Sequence, residues 1–184
     1  IGQYRTYMMG KHGLSEAVFN EHVTTRQALG EKVRAPHEAA AVAAAQRLGA
    51  VLASHDDTLV EHVACSARFG VALAEFPTTR AAAQACRDNG IAVMMGAPNL
   101  VRGGSHSGNV AAADLAQAGL LDILSSDYVP SALLYGAVML GEIWGDLARA
   151  MATVTAARLR PPRMSPSPQP PPRLAVAPAR HEKS

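Results

Sequence analysis

Between Pro36 and Ser126 two kinds of apolar pattern alternate along the chain. Stretches with apolar positions three and four apart give way to short unbroken apolar runs. The first kind predicts amphipathic helices, and the second predicts strands buried on both faces. Helices are expected at 37–48, 58–69, 78–89 and 109–118, closed by Gly49, Gly70, Gly90 and Gly119. Glycine is the expected residue just past a helix end. Strands are expected at 50–54, 71–76, 91–95 and 122–126, so they recur every 20 to 31 residues. Apolar strands alternating with helices imply an α/β fold with parallel pairing and right-handed connections. Upstream, residues 1–35 are mixed and polar, with one or two short helices around Leu14 to Leu29 and a capping signal at Ser15 and Glu16.

Two architectures accommodate four such units, a doubly wound sheet and half of a (β/α)8 TIM-type barrel. Polar groups follow the strand ends: His55 and Asp56, Glu75, the loop after Met95, and Asp127. A barrel collects such groups around one rim, whereas a doubly wound sheet concentrates them at a switch point. The expected organisation is a partial barrel over 1–157, with a helical lead-in at 1–35 and βα units over 36–145. From Arg158 to Ser184 the pattern collapses into a segment holding eight of the twelve prolines. Such a composition buries too little surface to offset its ordering entropy, and a disordered tail is expected. Pro168 to Pro172 is the one stretch compatible with an SH3-type contact.

Composition narrows the class. The net charge is +2 over 184 residues, with basic residues scattered. No stripe suits nucleic acid and no polybasic patch suits a membrane surface. No apolar run approaches the roughly 18 to 20 residues of a bilayer span, and the start lacks a signal-peptide core. Cys65 and Cys86 lie in predicted helices without CxxC spacing and read as reduced thiols in a cytoplasmic protein. Association into a homo-oligomer is compatible with all of this. The chain lacks an initiator methionine, and the expectation is that it begins mid-protein.

Four places could carry chemistry. His55, with Asp56 and Asp57, offers imidazole and carboxylate of the kind that hold a zinc, manganese or iron type of divalent metal. The competing reading makes Asp57 the cap of the next helix. Glu75 stands in an apolar strand and needs a cation, a metal or several donors. The run Arg102-Gly103-Gly104-Ser105-His106-Ser107-Gly108-Asn109 combines glycines, hydroxyls and a guanidinium ahead of a helix, which suits phosphate oxygens. It matches neither GxxxxGK[ST] nor GxGxxG, and the alternative is a plain loop with Asn109 as cap. Asp127 ends the last strand, where a carboxylate can bind metal or accept a proton from water; it could instead cap a helix starting near Ser131. His12, His22, His37, His62 and His181 read as surface or helix residues, and Trp144 as packing.

Taken together, ASHDD (53–57), AEFPTT (74–79), GAPNLVRGGSHSGN (96–109) and LDILSSDYVP (121–130) resemble the amidohydrolase superfamily, in its branch serving the carbon–phosphorus lyase pathway of phosphonate metabolism. The resemblance covers most of residues 1 to about 140. It implies a (β/α)8 barrel with divalent metal and a diphosphatase reaction on a phosphorylated small molecule. That reaction hydrolyses the triphosphate of a ribose methylphosphonate and releases pyrophosphate. It also implies His55 as metal ligand, Asp127 as metal ligand and catalytic carboxylate, and Glu75 at a position where many relatives carry histidine. Arg102, Gly103, Gly104, Ser105, His106, Ser107 and Asn109 would hold phosphate or phosphonate oxygens. The family's first four strands, with their histidine motif, and its C-terminal segment are absent. The proline-rich tail is of the kind a shifted reading frame produces. The expectation is an incomplete copy that is inactive or nearly so by itself. The alternatives are a non-catalytic phosphate-binding remnant and an amidohydrolase acting on a C–N bond.

Overall fold

A computed structural model describes residues 2–105 and 108–155. They fall into two units, one reaching Ala53 and the other starting at Ser54. The tail expected over 158–184, and the candidates His106 and Ser107, lie outside the described residues.

The first unit is a pair of helices, α1 (Gly2–His12) and α2 (Glu16–Leu48). Ser15 caps α2 as expected, its Oγ accepting the Val18 N–H at 3.4 Å. Phe19 is the buried anchor, 1% exposed, with the Tyr4 ring tilted 49° to it at 5.9 Å between centroids. The sequence breaks this region at Pro36, but α2 runs straight through it for 33 residues. The proline removes one N–H, leaving the Lys32 carbonyl without its i+4 donor. The flanks, rich in Ala, Glu, Arg and Lys, outweigh that loss when propensity is summed over the helix.

The second unit alternates β1 (Ala53–His55), α3 (Val60–Arg68), β2 (Leu73–Glu75), α4 (Arg80–Asp88), β3 (Ala92–Gly96), α5 (Ala97–Arg102), α6 (Ala112–Gln117), β4 (Ile123–Ser125), α7 (Ala132–Trp144) and α8 (Leu147–Thr155). Every expected strand is present; β1, β2 and β4 are shorter than their apolar runs, and β3 keeps its five residues one position later. Gly49, Gly70, Gly90 and Gly119 all take left-handed φ values at helix ends. The strands form one sheet in the order β1-β2-β3-β4, with parallel β2–β3 and β3–β4 pairs. No switch point occurs among these four.

A strand order that never reverses, joined by right-handed crossovers, puts the connecting helices on one face. Burial follows that rule. Ala74, Val93, Met95 and Leu124 are 3% exposed or less, and they share the helix-covered face by register and alternation. On the other face Glu75, Met94 and Ile123 lie abreast, all only half-buried. Two anchors fix the helix layer. Arg87 donates to the Gly119 carbonyl at 2.7 Å and pairs with Asp122 at 3.0 Å, while Asp122 accepts the Val93 N–H at 2.9 Å. Trp144 is a packing residue as expected, its Nε1 donating to the Ala116 carbonyl at 2.9 Å under the Arg149 guanidinium. Gly136 lets α7 approach closely, since a Cβ there would stand 2.9 Å from Leu124.

Candidate functional site at the strand ends

The C-terminal ends of the strands carry most of the backbone strain. Asp56, Phe76 and Asp127 are the described non-glycine residues with positive φ, at 60°, 56° and 49°. They follow β1, β2 and β4. Aspartate tolerates this region, whereas a bulky residue does not, and such strain clusters where side chains are aimed for function.

Between β2, β3 and β4 these ends enclose a pocket of about 140 Å³. Phe76 and Pro77 enter from β2, Gly96 from the end of β3, and Asp127 and Tyr128 from β4. Asn99 and Arg102 of α5 and the loop residues Gly104, Ser105 and Asn109 complete the lining. Arg102, Gly104, Ser105, Asn109 and Asp127, scattered over 26 positions of sequence, thus meet in one cavity. Gly103 is not among the lining residues; it closes α5 at φ 81°.

Three local expectations are corrected here. Arg102 is the last residue of a helix rather than part of a loop, because Pro98 and Gly103 bracket Ala97–Arg102 as initiator and terminator. That proline-first, glycine-after signal is visible in the sequence. Asn109 caps nothing. Helix α6 starts at Ala112 with Ala111 before it and no side-chain cap, and the Ala112 N–H goes to Asn99 Oδ1 at 2.9 Å. With Asn99 Nδ2 donating to the Val110 carbonyl at 3.3 Å, Asn99 staples the glycine-rich loop at its far end. Asp57 does not cap α3 either, whose N-cap is Leu59. The Asp57 carboxylate is buried and accepts the Ser54 hydroxyl at 2.6 Å.

Asp127 sits hard against the backbone. A Cβ on Gly96 would fall 2.8 Å from its Oδ2 and 3.2 Å from its Cβ. It does not cap α7, whose N-cap is Ser131. Nearby, the Ser125 Oγ is buried without a hydrogen-bond partner among the described residues. His55 ends β1 as expected and is exposed, with Nδ1 held 3.1 Å from Asp56 Oδ2. Its ring meets Phe76 edge to face at 5.3 Å. Glu75 is half-buried on the face opposite Ala74, Val93, Met95 and Leu124, and among the described residues no side chain pairs with its carboxylate. Neither His55 nor Glu75 lines the pocket.

Metal ligation asks for three or more converging donors. Among the described residues no three His, Cys, Asp or Glu side chains come together in that way. His55, Glu75 and Asp127 do not by themselves fit a metal centre, although the Asp56 contact orients the imidazole as an outer carboxylate does for a ligating histidine.

The class that fold and pocket define is an α/β protein with a singly wound parallel sheet and a polar pocket at its strand ends. Within it, the chain is similar to alpha-D-ribose 1-methylphosphonate 5-triphosphate diphosphatase of Escherichia coli (strain K12), with 51% identity over 132 residues. The match takes in 72% of this chain and 35% of the relative, so the chain spans about a third of the length of the protein it matches. No family model matches the chain, and no solved structure does.

Proposed function

We propose that the strand-end pocket binds the phosphate groups of a sugar triphosphate, and that the chain corresponds to the phosphate-handling portion of a phosphonate-pathway diphosphatase. The observation that carries this reading is the convergence of Arg102, Ser105, Asn109 and the Gly104 backbone on one cavity beside Asp127. A guanidinium, a hydroxyl, an amide and glycine-exposed backbone N–H groups are the donors that phosphate oxygens take. The E. coli relative, a diphosphatase by name, supports the reaction class. On this reading Asp127 accepts a proton from the attacking water, and Arg102 and Ser105 orient the anionic chain. His106 and Ser107 follow Ser105 in sequence. The sheet is the C-terminal half of a (β/α)8 barrel, a reading supported by the unreversed strand order and the half-buried Glu75, Met94 and Ile123 on one face. A divalent cation belongs to the reading only with ligands beyond the described residues, joining His55 and Asp127. Among the described residues no helix is long and apolar enough to cross a membrane.

The test pairs binding with turnover. The purified chain is expected to bind pyrophosphate and tripolyphosphate, to ignore cyclic amides, and to release little pyrophosphate from the ribose methylphosphonate triphosphate. Amide hydrolysis, or no affinity for any phosphate compound, would contradict the proposal.

A further inference from the structure

The pocket has two chemically different sides, and an anion accounts for only one of them. Arg102, Ser105 and Asn109 make the polar side, whereas Phe76, Pro77 and Met95 present carbon. Phe76 shapes the second side, and its backbone conformation is the strained one of the three at the strand ends. Its φ is 56°. The Phe76 N–H donates to the Met94 carbonyl at 2.9 Å, extending the β2–β3 pairing one residue past the strand. Pro77, next in the chain, is under 2% exposed; the usual preference of a residue before proline is extended backbone at negative φ, so Phe76 departs from it. The ring consequently lies edge to face with His55 at 84° while lining the pocket.

We infer that Phe76 is a specificity-determining residue, and that its ring receives the carbon skeleton of an organic phosphate. The site would then prefer a phosphorylated sugar over a free phosphate ion. This rests on the anion-binding reading above and adds to it the residue that distinguishes an organic phosphate from a bare one. Sugar C–H groups carry partial positive charge and pack well on the electron-rich face of an aromatic ring. A bare phosphate gains nothing from that surface.

Calorimetric titration of the full chain with ribose 5-phosphate and with inorganic phosphate tests the inference. Ribose 5-phosphate is expected to bind about tenfold tighter, the scale of one aromatic contact. Phe76→Gly removes the ring and accepts the left-handed backbone without strain, so loss of folding does not confound it. That variant is expected to bind ribose 5-phosphate no better than phosphate, with phosphate affinity unchanged, and Phe76→Tyr to restore the preference. A preference that survives Phe76→Gly, or affinities that fall together in it, would overturn the role of Phe76. Arg102→Ala should weaken both ligands alike. If the unaltered chain binds neither, the anion-binding reading fails first and this inference with it.

Discussion

Replacing Gly96 by alanine tests whether the strand-end geometry is as tight as its distances say. Its φ of −77° suits any residue, so the whole effect must come from the added methyl. That methyl would stand 2.8 Å from Asp127 Oδ2, 3.2 Å from its Cβ and 3.4 Å from its Cγ. The first contact is relieved by turning the carboxylate, but the second is not, because Asp127 is held in a left-handed turn at φ 49°. Overpacking of this kind costs about 1–3 kcal/mol, or a melting midpoint lower by at least about 2 °C. The control is Asp127→Gly, which deletes every atom in the clash and suits the turn. In that background Gly96→Ala should cost less than about 0.5 kcal/mol, leaving a coupling of about 1 kcal/mol or more between the two positions. Thermal unfolding of the four proteins measures the cycle. Equal costs in both backgrounds would refute the reasoning.

Other expectations follow from single observations. Asn99→Ala strands the Ala112 N–H and the Val110 carbonyl, so it should cost about 1–3 kcal/mol and speed amide exchange at Ala112; an unchanged exchange rate would count against the staple. Pro36→Ala returns a donor to the Lys32 carbonyl and should stabilise α2 by as much as roughly 3 kcal/mol, read as greater helicity on heating. Burial, with the Asp57 and Asp122 carboxylates nearby, pushes the Cys86 thiol up to about 12 from 9.0. The unfolded chain then loses this proton first as pH rises, so its share of stability is whole below pH 9.0 and drains away toward about 12. Cys86→Ala should flatten that alkaline slope in denaturant titrations at several pH values.

Much of the second unit was legible because its signals are local and agree with one another. Glycine stops and apolar runs fixed the helix and strand succession, and the termini His55 and Asp127 were visible as polar residues ending those runs. What escaped depends on distant partners. Asn99 works through Val110 and Ala112, and Gly96 matters only because Asp127 folds over it. Phe76 is an ordinary apolar residue in sequence and becomes unusual only through its dihedral. Helix α5 was missed because its glycine-rich sequel dominated the reading, although Pro98 and Gly103 marked its ends. Pro36 misled for the opposite reason, a local breaker overruled by the helix propensity on both sides. Glu75 was expected to need partners because its strand looked buried on both faces; it is only half-buried.

Backbone amide NMR of the chain titrated with pyrophosphate tests the central claim most directly. Shifts are expected at Gly96, Arg102 to Ser105, Asn109, Asp127 and Tyr128, and are expected to vanish in Arg102→Ala. Shifts confined to α1 and α2, or none at all, would contradict a phosphate-binding pocket at the strand ends.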